Sequence, residues 1–336
     1  MTFLDDNTGF SGIPQSPDPI APPAPSHQTA PLFAEVPPGD PFTYGAQHPQ
    51  PYYFAPPRPF DLQIPWSWGH LICFLVFSVA SLIFVQVCFT AYYITVKALP
   101  VHFTQKELQH LASSKPFFAV GSMVIVYVFI FFFLYMTLAF LYRAPFWQSL
   151  GWRKLDRENR KAPAKPWIYF VSGCGLSLLV VLMTAFTKTP ENTPIQELLK
   201  NTNTALAFMA MAVLVAPLVE ETLFRGYLYP VIVRIVSAVA QFLGMESARS
   251  LRTGVFSSIL LTGLAFGMLH AGQLGGSWKL VSPLIFVGIV LTTVRALAGT
   301  TFASFLVHLG YNSTIAFLGS LGLLVAKYGK VPPPHP

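Results

Sequence analysis

The chain contains a series of long apolar runs, and these runs restrict its fold more than any other feature of the sequence. Most of the runs have about 18 or more residues with few charges, enough to cross the ~30 Å hydrocarbon core of a bilayer as a helix. Hydrophobic residues make up 53% of the 336 residues and charged residues only 10%, whereas water-soluble domains carry about 25% charged residues. The sequence therefore predicts an all-α, polytopic transmembrane helix bundle in a lipid bilayer.

The predicted spans follow one another along most of the chain. Seven are clear, at residues 71–96, 117–142, 167–186, 204–221, 255–270, 280–297 and 302–325. The apolar segment 227–243 makes an eighth span if it crosses or dips into the membrane. We expect this segment to be embedded, because otherwise Glu220 and His270 end consecutive spans and lie near opposite faces of the bilayer.

The two ends of the chain differ from the apolar part. Residues 1–65 contain 16 of the 30 prolines, and proline removes a backbone donor and resists helix and sheet interiors. We therefore predict a disordered, Pro-rich N-terminal tail at 1–65, whose polar and acidic first residues do not form a signal peptide. The other predicted units are two spans with a basic loop (66–166), a helical core (167–326) and a C-terminal tail (327–336).

The distribution of charge predicts how the chain is oriented. The loop 143–165 has seven basic residues against two acidic ones, and basic loops beside apolar spans lie on the cytoplasmic side. We expect a multi-pass protein of the cell (inner) membrane with this loop in the cytoplasm. The net charge of +7 reflects such loops, so we expect no nucleic acid partner. Trp66 and Trp68 precede the first span, where an interfacial aromatic belt is expected.

The three cysteines, Cys73, Cys88 and Cys174, all lie in apolar runs. Three cysteines without a C-x-x-C pair do not make a disulfide framework. We therefore expect buried, small packing residues at these positions.

Two adjacent acids stand inside an apolar run. Of the acids that follow the tail, only Glu220 and Glu221 are embedded in this way. A charged side chain deep in a bilayer costs at least about 2.5–3.5 kcal/mol on insertion scales, so acids at this depth usually have a function. Glu221 and Arg225 are four residues apart and can form an ion pair at a helix end. Such a pair leaves Glu220, about 100° around the helix, free for chemistry.

Two histidines, His270 and His308, lie well inside the later apolar spans. Either one alone could be a helix–helix hydrogen-bonding residue, but together with two glutamates they indicate a functional cavity. Asn312 lies four residues after His308, so the imidazole and the carboxamide share one helix face. Gly263 and Gly267 form a small-x-x-x-small pair that lets another helix approach closely.

Three segments that contain these residues resemble motifs of one protein family. They are E-E-x-x-x-R at residues 220–225, F-x-x-x-H at 266–270 and H-x-x-x-N at 308–312. All three occur in this order, and each lies in an apolar run. On these motifs, residues 200–325 resemble the CAAX-processing and bacteriocin-processing (CPBP, or Abi) family of intramembrane proteases, which is related to the prenyl-protein endopeptidases.

The resemblance implies that the core 167–326 is an intramembrane endopeptidase, a hydrolase whose substrate is a peptide or protein, with a lipidated C-terminus in some relatives. It also implies that Glu220 and His270 activate a water for attack on the peptide carbonyl, while His308 and Asn312 stabilise the oxyanion. The chemistry agrees, since a carboxylate can act as a general base. Imidazole N–H and amide NH₂ groups can donate to an oxyanion.

Two alternatives stay open at this point. Members of the family are commonly called metalloproteases, and Glu220, His270 and His308 would suit Zn²⁺, but the chain has no H-E-x-x-H motif and the family can be read as metal-free glutamate peptidases. The cofactor is therefore either none or Zn²⁺. The same polar cluster could instead hold helices together in a non-proteolytic immunity or scaffold protein, or relay protons in a transporter. The three motifs together favour the peptidase.

Overall fold

The computed structural model describes residues 62–115, 117–155, 162–185 and 193–328. Every regular element in this part of the chain is helical, which confirms the predicted all-α fold class. The predicted N-terminal and C-terminal tails lie almost wholly outside the described residues.

The first part of the described chain contains six helices. They are Trp68–Thr95 (α1), Gln105–Ser114 (α2), Ser122–Tyr135 (α3), Phe146–Ser149 (α4), Pro166–Ala185 (α5) and Pro194–Lys200 (α6). Two π-helical turns, Phe117–Gly121 and Met136–Leu141, flank α3.

The second part carries the residues of the three motifs. Its helices are Thr202–Leu214 (α7), Ala216–Glu221 (α8), Tyr229–Phe242 (α9), Ser247–Leu269 (α10), Trp278–Ala298 (α11) and Thr301–Tyr328 (α12). A π-helical segment, Thr222–Leu228, joins α8 to α9.

Most of the long helices can cross a membrane. Within the described residues, six stretches are long and apolar enough, at Trp68–Thr95, Ser122–Leu141, Pro166–Ala185, Thr202–Phe242, Ser247–Leu269 and Trp278–Ala298. The 28-residue α12 is a further long helix and packs along α5. Exposed apolar side chains such as Val79, Phe132 and Leu182 suit contact with lipid. The architecture is therefore a polytopic membrane bundle, as predicted.

The fourth predicted span and the apolar segment after it form one continuous helical stretch of 41 residues, Thr202–Phe242. With a rise of about 1.5 Å per residue it is about 60 Å long, roughly twice the hydrocarbon thickness of a bilayer. Its joints are at Val215, between α7 and α8, and at the π-helical segment. Residues 227–243, most of which form α9, therefore continue the helical stretch of the fourth predicted span, and their depth in the bilayer stays a prediction.

This continuity explains how Glu220 and His270 come together. α10 folds back along α9, and the Ser258 hydroxyl donates to the backbone oxygen of Tyr229 over 2.8 Å. α10 therefore ends beside α8, where His270 lies 4.0 Å from Glu220. Glu220 lies near the middle of the long stretch and not at the end of a span. Glu220 and His270 therefore do not end consecutive spans at opposite faces of the membrane.

Glycines let α10 and α11 pack closely. A Cβ atom at Gly263 would lie 2.7 Å from the backbone nitrogen of Ile289, and one at Gly267 would lie 2.7 Å from that of Ile285. A larger side chain at either glycine would push against the backbone of α11. The small-x-x-x-small pair therefore has the packing role that its spacing predicts.

Trp66 does not belong to an interfacial belt. It is fully buried, its ring stacks on Tyr227 with the centroids 5.2 Å apart, and its backbone oxygen accepts from Arg234 Nη1 over 2.9 Å. Trp68, by contrast, is 65% exposed. The prediction for Trp66 is wrong because the chain enters α1 against α9, where a large aromatic ring buries most of its surface.

The cysteine prediction is wrong for two of the three positions. Cys73 and Cys88 are exposed on α1, Cys174 is half-buried on α5, and all three are free thiols. A helix surface that faces lipid accepts the same apolar residues as a protein core. An apolar run therefore does not show which of its residues are buried.

Two short helices that apolar patterns do not predict, α2 and α6, pack against each other. Each begins with a capping box, formed by Thr104 with Glu107 and by Thr193 with Gln196. These reciprocal hydrogen bonds satisfy free N–H groups of the first turn. Hydrogen bonds from the backbone N–H and the hydroxyl of Thr104 lower the pKa of the exposed Glu107. The T-x-x-E and T-x-x-Q spacings in the sequence are the signals that could have predicted the starts of these two helices.

Candidate active site

Glu221 and Arg225 form an ion pair inside the bundle. Both side chains are fully buried, and Arg225 Nη1 donates to Glu221 Oε1 over 2.9 Å. The i, i+4 spacing predicts this pair, which joins the last residue of α8 to the π-helical segment that continues the helical stretch. Arg225 also donates from Nη2 to the backbone oxygen of Gly288 (2.9 Å) and from Nε to Thr292 Oγ1 (3.3 Å). These bonds join the π-helical segment to α11 and compensate a buried charge.

His308 is held by Glu221. Its Nδ1 lies 2.9 Å from Glu221 Oε1, and its side chain is 3% exposed. A carboxylate that pairs with Arg225 only accepts hydrogen bonds, so Nδ1 of His308 carries a hydrogen. In the neutral ring Nε2 is then an acceptor, and it donates only when the ring is protonated. The predicted oxyanion role of His308 therefore requires the protonated ring.

His270 follows the end of α10 and is fixed in a similar way. Its Nδ1 lies 2.7 Å from the backbone oxygen of Phe266, one turn earlier. A carbonyl oxygen only accepts, so Nδ1 carries the hydrogen and Nε2 of the neutral ring is again an acceptor. The Phe266 ring also packs on the His270 ring, with the centroids 4.8 Å apart. The F-x-x-x-H spacing thus supplies a hydrogen-bond acceptor and a packing surface for the imidazole.

Glu220 faces both histidines. Its Oε1 lies 4.0 Å from His270 Nε2, and its Oε2 lies 3.8 Å from His308 Nε2. Both distances are too long for hydrogen bonds, so the carboxylate and the two ring nitrogens surround a space. The Glu220 side chain is 16% exposed, whereas Glu221 is fully buried. The three groups are placed to accept hydrogen bonds from a small molecule such as water.

Asn312 lines the same cavity as Glu220 and the two histidines. Its Nδ2 donates to the backbone oxygen of Ala212 over 2.8 Å, near the joint between α7 and α8. One amide hydrogen thus supports this joint, and the second is left for another acceptor. The geometry is compatible with a packing role and with an oxyanion role.

A cavity of about 360 Å³ lies beside these groups. Its polar wall is formed by Glu220, His270, His308 and Asn312. The rest of the lining is mostly apolar, with residues such as Met123, Val180, Phe208, Met209, Leu284 and Ile315. An apolar cavity with a few convergent polar groups is typical of a ligand-binding site.

Some residues of the site were not predicted from the sequence. Tyr127 of α3 lines the cavity, and its phenol is not distinguished in the sequence from that of Tyr135 on the same helix. Gly288 and Thr292, the partners of Arg225, carry no signal, because their role depends on how α11 packs against the π-helical segment.

Glu220, His270 and His308 have the chemistry of a zinc site, with two imidazole nitrogens and a carboxylate. Their spacing differs, since bonds of about 2.0–2.2 Å place tetrahedral zinc ligands roughly 3.3 Å apart, and the separations here are 3.8 and 4.0 Å. In the part of the chain that the structure describes, no group of three or more His, Cys, Asp or Glu side chains could hold a metal ion. The residues as placed do not fit a metal centre, and metal dependence stays a prediction.

Fold and site together define a helical membrane protein with a glutamate–histidine cluster beside an apolar cavity. Residues 202–314, about a third of the chain, match the family model described as type II CAAX prenyl endopeptidase Rce1-like. This part of the chain is similar to the Rce1-like family, and the match supports the family predicted from the three motifs. All of the predicted site residues lie in the matched range, whereas Tyr127 lies outside it. No curated protein and no solved structure matches the chain.

Proposed function

We propose that the protein is an intramembrane endopeptidase that hydrolyses a peptide bond with a water activated by Glu220 and His270. The match of residues 202–314 to a CAAX prenyl endopeptidase family model supports this function. The observation that carries the proposal is the placement of Glu220, His270 and His308 around one space in the wall of an apolar cavity. Helix packing alone does not account for three groups that do not bond to one another, because unpaired polar groups are costly in a membrane.

The first step is the attack of water. A water between Glu220 and the two Nε2 atoms gives a proton to Glu220 while its oxygen bonds to the peptide carbonyl carbon. His270 Nε2, an acceptor because Nδ1 donates to Phe266, orients the second hydrogen of the water. The carbonyl oxygen becomes an oxyanion, and Asn312 and protonated His308 donate to it.

The second step releases the products. The C–N bond breaks as the tetrahedral intermediate collapses, and the proton held by Glu220 passes to the leaving amine. The C-terminal fragment leaves as an amine and the N-terminal fragment as a carboxylic acid, so one water is consumed for each peptide bond. The enzyme returns to its starting protonation state.

Glu221 and Arg225 position the reacting groups. Glu221 Oε1 accepts from both Arg225 and His308, so the carboxylate fixes the tautomer and the orientation of the imidazole. The carboxylate of a Ser-His-Asp triad has the same effect on its histidine. We propose no proton transfer through Glu221.

We further propose that the substrate is apolar beside the scissile bond. A peptide with a lipidated C-terminus would place its apolar chain in the cavity and its peptide bond at the polar wall. Each CH₂ group removed from water contributes about 0.8 kcal/mol. The lipid chain therefore holds the peptide in the bilayer, and the apolar lining of the cavity can accept that chain.

The test is a cleavage assay on the purified protein in lipid vesicles, with a prenylated CAAX-type peptide as substrate. Glu220→Gln should reduce cleavage to background while the melting temperature is unchanged, because the amide cannot take the proton from water. Glu246→Gln, which alters an exposed glutamate, is the matched control and should keep full activity. Wild-type turnover in a folded Glu220→Gln variant would contradict the assignment.

The same assay with a chelator tests metal dependence. Metal-free hydrolysis predicts equal cleavage with and without the chelator. Loss of cleavage that added Zn²⁺ restores would instead assign Glu220, His270 and His308 as metal ligands.

A further inference from the structure

The faces of α3 have different surroundings. Val126 and Ile130 are buried in the hydrophobic core that α3 shares with α1, whereas Val128 is exposed on a lipid-facing surface. Met123 and Tyr127, one turn apart, line the cavity of the active site. Tyr127 therefore belongs to the cavity and not to the lipid-facing surface, although α3 lies outside the family-matched segment.

The hydroxyl of Tyr127 is a free donor in this cavity. It makes no hydrogen bond to any residue that the structure describes. Tyr127 and Glu220 line the same cavity. Tyr127 is half-buried, so its hydroxyl is available to donate to a ligand in the cavity.

The polar wall formed by Glu220, His270, His308 and Asn312 has few free donors when both imidazole rings are neutral. Glu220 only accepts, and Nε2 of neutral His270 and His308 accepts as well, because Nδ1 of each ring donates to another group. Asn312 already gives one amide hydrogen to the backbone oxygen of Ala212. A phenol remains a donor throughout the neutral pH range.

We propose that Tyr127 is a further catalytic residue, whose hydroxyl donates a hydrogen bond to the oxyanion of the tetrahedral intermediate. This role rests on the proposed peptidase function. The water oxygen bonds to the carbonyl carbon, the C=O bond becomes C–O⁻, and the proton of the water goes to Glu220. Tyr127 keeps its own proton throughout, so the step needs no co-reactant.

The variant Tyr127→Phe tests this role, because it removes one oxygen and leaves the ring in place. We expect kcat to fall on the order of 10²-fold, as for the loss of an oxyanion donor, with little change in KM or melting temperature. Tyr135→Phe is the matched control, since Tyr135 lies on the same helix and is 48% exposed. It should keep wild-type kcat, and Glu220→Gln measured in parallel should be inactive.

The outcomes separate the two proposals. Wild-type kcat in Tyr127→Phe, beside an inactive Glu220→Gln, overturns the role of Tyr127 and leaves the peptidase function standing. An increase in KM alone, or a loss of kcat that follows a loss of folded protein, also overturns the catalytic role. If the wild-type protein does not cleave the substrate, the peptidase function fails and the role of Tyr127 fails with it.

Discussion

Glu220 and Glu221 are adjacent in the sequence and carry the same charge, but their surroundings differ. Glu221 is fully buried and bonded to Arg225 and His308, whereas Glu220 is partly exposed and lies beyond hydrogen-bond distance of both histidines. One position along a helix is about 100° of rotation, which turns the two side chains toward different partners. A carboxylate with compensated charge holds the structure together, and one without partners can accept a proton.

Removal of Glu221 should therefore destabilise the protein. Glu221→Ala leaves Arg225 fully buried without its counter-charge, and breaking a buried pair in this way costs about 3–5 kcal/mol. Arg225→Ala should have an effect of similar size. The double variant Glu221→Leu/Arg225→Met removes both charges and should recover part of the loss. Melting temperatures of the purified variants measure these effects, and wild-type values in both single variants would refute the stabilising role of the pair.

The motif residues could be identified from the sequence, but their contacts could not. Charged and imidazole groups in apolar runs are conspicuous because lipid makes them costly. The bond between Glu221 and His308 joins positions 87 residues apart, and no spacing rule predicts it. The tautomers of His270 and His308 follow from their acceptors, which only the packed structure reveals.

At the scale of elements, the long helices could be predicted from the sequence. An apolar run in a lipid bilayer has no water to bond its backbone groups, and a helix satisfies these groups internally. The span predicted at 167–186 is observed as Pro166–Ala185. The continuity of Thr202–Phe242 was not predictable, because Pro230 and Arg234 interrupt the apolar pattern. Pro230 is tolerated where it directly follows the π-helical segment, since the α-helical hydrogen-bond pattern is already interrupted there.

Close packing of α10 on α11 should depend on Gly267. Gly267→Ala sets a methyl group against the backbone of Ile285, and overpacking of this kind costs about 1–3 kcal/mol. The shift of α11 also moves Gly288, the acceptor of Arg225, so melting temperature and activity should fall together. At Gly272 a Cβ atom would meet nothing within 4 Å, so Gly272→Ala is the matched control. Equal melting temperatures of the two variants would argue against close packing at Gly267.

At the scale of the whole molecule, the matched segment is not a complete site. Residues 202–314 contain the motifs, but α3 and α5 supply part of the cavity wall. α5 also packs along α12, the helix of His308 and Asn312. α3 and α5 are therefore part of the cavity and not an appendage to it.

Orientation in the membrane stays a prediction that cysteine labelling can test. With Cys73, Cys88 and Cys174 replaced by alanine, single cysteines at Asn159 and Asn192 should label from opposite sides, because α5 lies between them. Both positions are outside the described residues. The cysteine at Asn159 should react only from the cytoplasm, as its basic loop requires. Labelling of both from one side would refute α5 as a span, and the cysteine-free protein controls for background.

The hydrogens on His270 and His308 also have a consequence for inhibitor chemistry. When both rings are neutral, with Nδ1 of each ring engaged, the site presents lone pairs from both Nε2 atoms and from Glu220. A compound that ends in a carboxylate adds further lone pairs and is repelled. An amidinium group has two N–H groups in one plane, which can donate to the two oxygens of a carboxylate. We therefore expect effective inhibitors to combine an alkyl chain, which occupies the cavity, with an amidinium head that faces Glu220.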